Sequence, residues 1–455
     1  MNTSKNLSRR EMLAQCSTGF GLMALQGLMA SPAFAGPARK PHFTPRAKHV
    51  ILCYMSGGAS QVDTFDPKPK LKELHGKPMP VKILRTQFNN NGNVMASPFT
   101  FKKYGQSGLP VSSLFPHVAE SADELAVIRS LTSKVNEHAQ GNYAFHTGFP
   151  IMGHPSAGAW VSYGLGTENQ NMPGFVVLHS GSRGPRGGAA NWASGFLPTT
   201  YQGVPLRGSG DPILNLANPA GVSARRQRAS IDVINKLNLK RLVATGDPEI
   251  NTRIASYEMA YRMQSSAPEL MDISGESKAT LDLYGVEQGK PSYANNCLLA
   301  RRLVQRGTRF VQLYHANWDS HGGPGETLTK DFDKVTHEVD QASAALVKDL
   351  KAHGMLDDTL VIWAGEFGRT PVSQDENGRD HNPYGYSVWL AGGGAKGGTV
   401  YGATYELGYH ATENKCDVYD LWATVLHLLG VDHEELTYRH GGRDLRLTDV
   451  HGKVI

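Results

Sequence analysis

Three short apolar runs, far apart in the chain, end in a similar way. His49-Val-Ile-Leu-Cys-Tyr-Met55 stops at Ser56-Gly57-Gly58, and Arg309-Phe-Val-Gln-Leu-Tyr-His315 stops at Ala316-Asn317. Leu360-Val-Ile-Trp-Ala364 stops at Gly365-Glu366-Phe367-Gly368. None of the three alternates apolar with polar residues, so none is built to keep one face in water. Unbroken runs of this length read as strands covered on both sides, the pattern of a parallel sheet with helices above and below.

The intervening segments supply those helices. Phe332, Val335, Val339, Ala342, Leu346 and Leu350 recur at helical spacing, and Gly354 is the natural C-terminal cap. Asn136–Thr147 reads as a helix closed by Gly148 and Pro150, and Val418–Leu429 as a last helix ending at Gly430. Ser112–Ser130 reads as a helix running into a strand near Leu125–Ile128, and Ser387–Ala391 as one more short strand. The Gly- and Arg-rich stretch from 180 to 212 is loop, and 223–305 is mostly helical. Strands alternating with helices define an α/β chain, in which chemistry gathers at the C-terminal ends of strands.

The first 35 residues belong outside that fold. Ser8-Arg9-Arg10-Glu11-Met12-Leu13 is a twin-arginine pattern, Phe20–Ala30 is modestly apolar, and Ala33-Phe34-Ala35 forms a small-x-small cleavage site. An amphipathic N-terminal helix is the plainer alternative. The order of the three features instead points to the twin-arginine export machinery and a periplasmic or extracellular protein. A Pro- and Lys/Arg-rich linker at 36–48 follows. Composition (40% apolar, 19% charged, net charge +5) excludes a disordered chain. With no long basic run or basic-aromatic stripe, nothing points to nucleic acid, and no membrane-spanning stretch follows the leader. Cys53, Cys297 and Cys416 remain after the leader, an odd number without a C-x-x-C pair, which argues against a disulfide framework or a cysteine zinc site.

Polar residues cluster after the strand ends. The first strand is followed by Ser56, Ser60, Asp63 and Asp66, and the second by His315, Asn317, Asp319 and His321. The third is followed by Glu366 and Arg369, with Arg379, Asp380 and His381 beyond. Imidazoles with carboxylates suit zinc, manganese or iron, and a carboxylate-heavy site also suits calcium or magnesium. Taken singly, Asp63 and Asp66 also read as helix caps, Asp319-Ser-His321 as a hydrogen-bonded loop, and Asp380-His381 as turn chemistry. Their joint occurrence at successive strand ends is what favours a metal. There is no G-x-S-x-G elbow, no P-loop and no dinucleotide fingerprint. Asn136-Glu137-His138 opens a helix, whose free N–H groups suit either an anion or ordinary capping.

Three segments resemble the alkaline phosphatase and sulfatase superfamily, and more narrowly a sulfatase-like family of exported bacterial proteins of unknown function common in planctomycetes. They are HVILCYMSGGASQVDTFDPKP, the run LFPHVAESADELAVIRSLTSKVNEHAQGNYAFHTGFP, and the helix at 332–352 leading into LDDTLVIWAGEFG. The resemblance spans roughly residues 48–430 with an unmatched stretch near 180–300. It implies a three-layer sandwich in which a mostly parallel sheet carries helices on both faces. That fold would form one domain over 49–455 with a loop and helical insertion near 180–300.

The resemblance also locates departures. The superfamily's metal-binding Asp after the first strand is replaced by Ser56-Gly57-Gly58, with Asp63 coming later. Its nucleophile position, nine residues before Thr147, holds His138. Its D-H-G or D-N-G pair becomes Glu366-Phe367-Gly368. His321 matches an Asp-x-x-x-His histidine with Asn317 in place of the Asp, and His381 matches a late histidine. A covalent phospho- or sulfo-enzyme is therefore not supported. A divalent metal (zinc, calcium, magnesium or manganese) held by Asp63, Asp319, His321, Glu366 and His381 would instead activate water. In that scheme His138 and Arg369 are the catalytic candidates, and Arg379, Asn136 and Ser60 the substrate-binding ones. The expectation is an exported metal-dependent hydrolase of phosphate or sulfate esters. The alternative is a catalytically degenerate relative that binds sulfated or other anionic glycans or an envelope partner.

Overall fold

The computed structural model describes residues 40–180, 184–208, 210–247 and 249–455. The leader expected at 1–35 and the first residues of the linker lie outside the described residues. Among the described residues, nine strands form one sheet: β1 (His49–Met55), β2 (Leu125–Thr132), β3 (Phe175–Ser180), β4 (Val204–Leu206), β5 (Phe310–His315), β6 (Thr359–Ala364), β7 (Tyr386–Ala391), β8 (Thr399–Tyr401) and β9 (Cys416–Asp417). Their order across the sheet is β8, β2, β7, β6, β1, β5, β3, β4, with β9 also paired to β2. From β6 to β4 all strands are parallel, and β1 sits between β5 and β6 with Val50 opposite Phe310 and Leu360. The three apolar runs of the sequence are thus the three adjacent central strands.

Alternation along β1 divides the core. Ile51, Cys53 and Met55 face one layer, where α3 (Tyr293–Gln305) and α4 (Asp333–Ala352) pack. Val50, Leu52 and Tyr54 face the other, with α2 (Ala157–Leu165) and α5 (Val418–Leu428); α1 (His138–Thr147) contributes Phe145 to that side. Every residue of β1 is buried, so both faces of this period-2 element carry apolar side chains, except at His49, whose ring meets the Thr308 carbonyl. Each fully buried Val, Leu or Ile there contributes roughly 1.5–3 kcal/mol, which holds the central strands rigid beneath the site. Cys53, Cys297 and Cys416 are buried free thiols. Among the described residues no helix is long and apolar enough to cross a membrane.

The stretch 180–212, expected to be loop, contains the edge strand β4, and two further segments depart from the sequence expectation. Between 112 and 130 the chain makes only one helical turn, Pro116–Ala119, and a shorter turn at Ala122–Glu124 before β2 begins. Ser112 belongs instead to a hairpin strand, Leu109–Ser112, paired with Phe101–Tyr104. The turn starts at Pro116 because buried Asp340 of α4 accepts hydrogen bonds from the His117 and Val118 N–H groups, a cap supplied from another element. The last departure is β7, which runs antiparallel to both neighbours. The chain leaves β6 at its C-terminal end, makes the excursion 365–385, and re-enters the sheet from the same rim. No crossover helix is needed, and both ends of that excursion are anchored in the sheet.

Candidate metal centre

The excursion after β6, the loop after β5 and the start of α1 meet over the C-terminal ends of β1, β5 and β6. They bring His138, Asp319, His321 and His381 together, each offering one donor atom, all within 4.8 Å of one another. Their positions follow from local structure. Glu137 caps α1 through its carboxylate on the Gln140 N–H, which sets His138 as the first helical residue, pointing off the N-terminus. His381 lies in a two-residue ladder with Arg369. Gly57 adopts φ +127°, and a Cβ there would stand 2.6 Å from the Asp319 backbone nitrogen, so only glycine lets the β1 turn pass beneath that residue.

The second nitrogen of each ring is occupied. His381 Nδ1 faces the Asn136 carbonyl oxygen at 2.5 Å. A carbonyl only accepts, so the proton sits on Nδ1 and the Nε2 lone pair is bare. His321 Nδ1 faces Gln374 Oε1 at 2.6 Å, and His138 Nδ1 faces Glu366 Oε1 at 2.8 Å. All three Nε2 atoms therefore aim inward. His321 Nε2 is 3.0 Å from His381 Nε2 and 2.7 Å from Asp319 Oδ1, and His138 Nε2 is 2.9 Å from Asp319 Oδ2. These contacts crowd three inward Nε2 atoms and the Asp319 carboxylate beside Arg369. One metal ion answers all of them at once. Imidazoles whose outer N–H is held by a carboxylate, an amide oxygen and a backbone carbonyl are the usual surroundings of a metal-binding histidine. The donor set fits a cation.

The electrostatics follow from this crowding. Burial opposes charge on His138, but Asp319 and Glu366 on its two nitrogens outweigh it and raise its pKa to about 9. Burial likewise opposes charge on Asp319, yet Arg369 and the three histidines hold its carboxyl far below the ordinary range. Burial and then Arg369 lower His381 to about 3, which keeps that ring neutral and its lone pair available. Phe367 packs its ring against His138 and His381 with centroids 5.2 and 4.4 Å away, and Phe88 stands edge-on to His321 at 4.7 Å. These rings form an apolar wall that strengthens the fields inside.

The other candidates take up distinct places. Glu366 is fully buried and faces the back of His138 and the Gly57 N–H, outside the group of four. Asp63, also fully buried, receives two hydrogen bonds from Arg379 at 2.8 and 3.2 Å and one from the Ser60 hydroxyl at 2.5 Å. Arg379 gives its remaining hydrogen bonds to the Thr370 and Met95 carbonyls. Arg369 is wholly buried, donating to the Gly57, Gly58 and Arg379 carbonyls and to Asp319 Oδ1. Asn136 acts through its backbone carbonyl on His381. Nothing in the spacing of Gln374 and Phe88 marks them, because they meet the histidines only through the tertiary fold; Phe367, which falls where the resemblance would place a second ligand, packs against two of the rings. A cleft of about 390 Å³ opens beside the group, with His138, Asp319, Ser56, Arg186, Glu326 and Glu338 in its lining.

The family described as "Protein of unknown function (DUF1501)" matches residues 47–455. No curated protein matches the sequence. Among solved structures, the chain is similar to a protein in the alkaline phosphatase superfamily from Vibrio parahaemolyticus, with 11% identity over 90% of this chain and 75% of that one and a TM-score of 0.36. It is similar to the PsFucS1 sulfatase from Pseudoalteromonas sp., with 14% identity, 94% and 72% coverage and a TM-score of 0.34. It is also similar to the alkaline phosphatase of the Antarctic bacterium TAB5, with 12% identity, 85% and 98% coverage and a TM-score of 0.33. At likeness this loose, the chemistry of the site has to be understood from its own side chains.

Proposed function

Because the chain belongs to the DUF1501 family, whose description assigns no activity, its reaction has to be inferred from the site, and we propose a metal-dependent hydrolase of phosphate or sulfate esters centred on His138, Asp319, His321 and His381. The observation that carries this reading is the convergence of three imidazole Nε2 atoms on Asp319, each ring fixed from behind by an acceptor. An imidazole-rich set favours zinc or another first-row transition ion over calcium or magnesium, which prefer all-oxygen cages. A divalent ion there would polarise an ester oxygen and lower the pKa of water.

The chain's own residues do the rest. Glu366, Gln374 and the Asn136 carbonyl orient the rings, and Arg369 steadies the Asp319 carboxylate. Phe367 keeps water from the histidine faces it covers. The cleft meets the group on the His138 and Asp319 side, and its volume suits a small ester or one terminal group of a larger one. His138 stands where a helix-borne nucleophile would otherwise be, and its contacts to Asp319 and Glu366 make it a ligand in this reading.

Metal analysis of the purified protein, followed by a screen of phosphate and sulfate esters, tests the proposal. We expect about one ion per chain and hydrolysis that disappears in His321→Ala. Protein that neither retains nor takes up a transition ion would sink the metal reading; hydrolysis indifferent to that substitution would sink the catalytic one. One observation favours a second reading, a catalytically silent protein that binds sulfated glycans or an envelope partner. Arg369 and Arg379 are wholly engaged inside the protein, so neither presents a free fork at the centre. Metal binding without hydrolysis of any ester would select it. We propose in addition that the twin-arginine leader delivers the protein to the periplasm or beyond. Replacing Arg9 and Arg10 together by Lys should hold it in the cytoplasm, and undiminished export would count against that route.

A further inference from the structure

The cleft beside the metal group is lined by many charges, and most of them are already answered. Asp331 accepts from the Thr327 N–H and hydroxyl. Glu338 pairs with His315 at 3.0 Å and more loosely with Lys334 at 3.9 Å. Arg186 is different: its side chain is exposed in the lining, and among the described residues its guanidinium has no hydrogen bond or ion pair.

The backbone beneath that guanidinium is held unusually firmly. Two fully buried asparagines, Asn142 and Asn191, each donate an amide N–H to the single Arg186 carbonyl oxygen, both at 2.9 Å. Asn142 lies on α1 one turn after His138, and its own Oδ1 accepts from the Tyr54 hydroxyl at 2.7 Å. The next residue, Gly187, has φ +89°, and a Cβ there would come within 2.5 Å of the Tyr143 ring, so the loop closes tightly onto α1. A surface arginine with no partner does not need such an anchor. The anchor ties its base to the same helix that carries His138, at a set distance from the metal group.

We propose that Arg186 is the anion-binding residue of this cleft, receiving the tetrahedral oxyanion of a phosphate or sulfate ester between its guanidinium and the His138–Asp319 edge of the centre. This rests on the metal-hydrolase reading above and adds to it the group that Arg369 and Arg379 do not supply. A planar fork of N–H donors matches two oxygens of a tetrahedral anion, which a lysine cannot do. Glu326, the other lining charge without a partner among the described residues, is a carboxylate and repels an oxyanion, so the anion settles on the Arg186 side.

Calorimetric titration of the metal-loaded full chain with inorganic phosphate, and separately with inorganic sulfate, tests this and tells the two anions apart. Arg186→Ala should bind the preferred anion about tenfold or more weakly, and Arg186→Lys should fall between the variant and the wild type. Metal content and thermal midpoint should not move, because the fold uses the carbonyl of residue 186 and not its side chain. Equal anion affinity in wild type and Arg186→Ala, or no anion binding by the metal-loaded wild type, would overturn the proposal. Should the wild type hold no metal, the metal reading falls. The same titration on the metal-free chain then still decides whether Arg186 takes the anion.

Discussion

Two aspartates after neighbouring strands meet opposite fates in this molecule. Asp63 is sealed in the interior with Arg379 across it and the Ser60 hydroxyl beside it. One negative charge meets one positive charge through a bidentate pair, and nothing is left over for a ligand. Asp319 is ringed by Arg369 and by three imidazoles whose Nε2 atoms all point at it. The first arrangement is closed and serves the fold. The second is locally overcrowded with lone pairs, which persists because the surrounding strands and aromatic rings hold it in place. What separates the closed carboxylate from the proposed ligand here is whether its neighbours complete it.

The comparison can be broken most forcefully at Asp63. Asp63→Ala strands the Arg379 guanidinium without its partner, and losing one half of a buried pair costs about 3–5 kcal/mol. Urea unfolding should show that loss, while the folded fraction still binds metal at the wild-type stoichiometry. A variant that kept full stability would mean the pair is not closed. At Asp319 the dependence is on the ion. A transition metal at a hundred times its dissociation constant should stabilise the wild type by about 2.7 kcal/mol. The same metal should leave His321→Ala unmoved in a thermal scan. Stabilisation of both proteins alike would show that the ion binds elsewhere.

Glu366→Gln sharpens the contrast from behind the ligands. Its amide oxygen still accepts from Gly57 and His138, so the fold should hold, but His138 loses the negative charge that makes it a better donor. Metal affinity should fall 10–100-fold, as is usual for an outer partner of a ligating histidine, read by competition with a chelating dye; unchanged affinity would remove Glu366 from the site. The smallest effect belongs to Lys48→Ala. Lys48 and Asp358 sit 2.8 Å apart, as close as Arg379 and Asp63, yet Lys48 is exposed and Asp358 only half-buried. Removing that contact should cost roughly 0.2–1 kcal/mol or less in urea unfolding. A larger cost would show that distance rather than burial governs these pairs.

Much of the architecture is legible in the sequence. The runs at 49–55, 309–315 and 360–364 became β1, β5 and β6 because a strand buried on both faces is mostly apolar, with polar exceptions such as His49 and Gln312 each held by a partner. The helix over Asp333–Ala352 was equally plain from its spacing. The turn at Pro116 and the direction of β7 were not, since one depends on a cap from Asp340 and the other on a chain reversal made by the site excursion. The edge strands β4, β8 and β9 are two or three residues long, too short to carry any periodicity.

At the site, the residue types and their location past the strand ends were set by the sequence alone, because loops after parallel strands must gather on one rim. Which carboxylate takes which partner was decided only by tertiary structure. Asp63 and Arg379 are 316 residues apart, and His381 meets the Asn136 carbonyl across 245. No spacing rule reaches that far. The choice rests on side-chain directions accurate to less than the length of a hydrogen bond, and only the assembled sheet, with α1 and the excursion packed against it, supplies that accuracy. The same holds for Arg186: its place in a Gly- and Arg-rich loop says nothing until two buried asparagines close on its carbonyl and turn an ordinary surface charge toward the cleft.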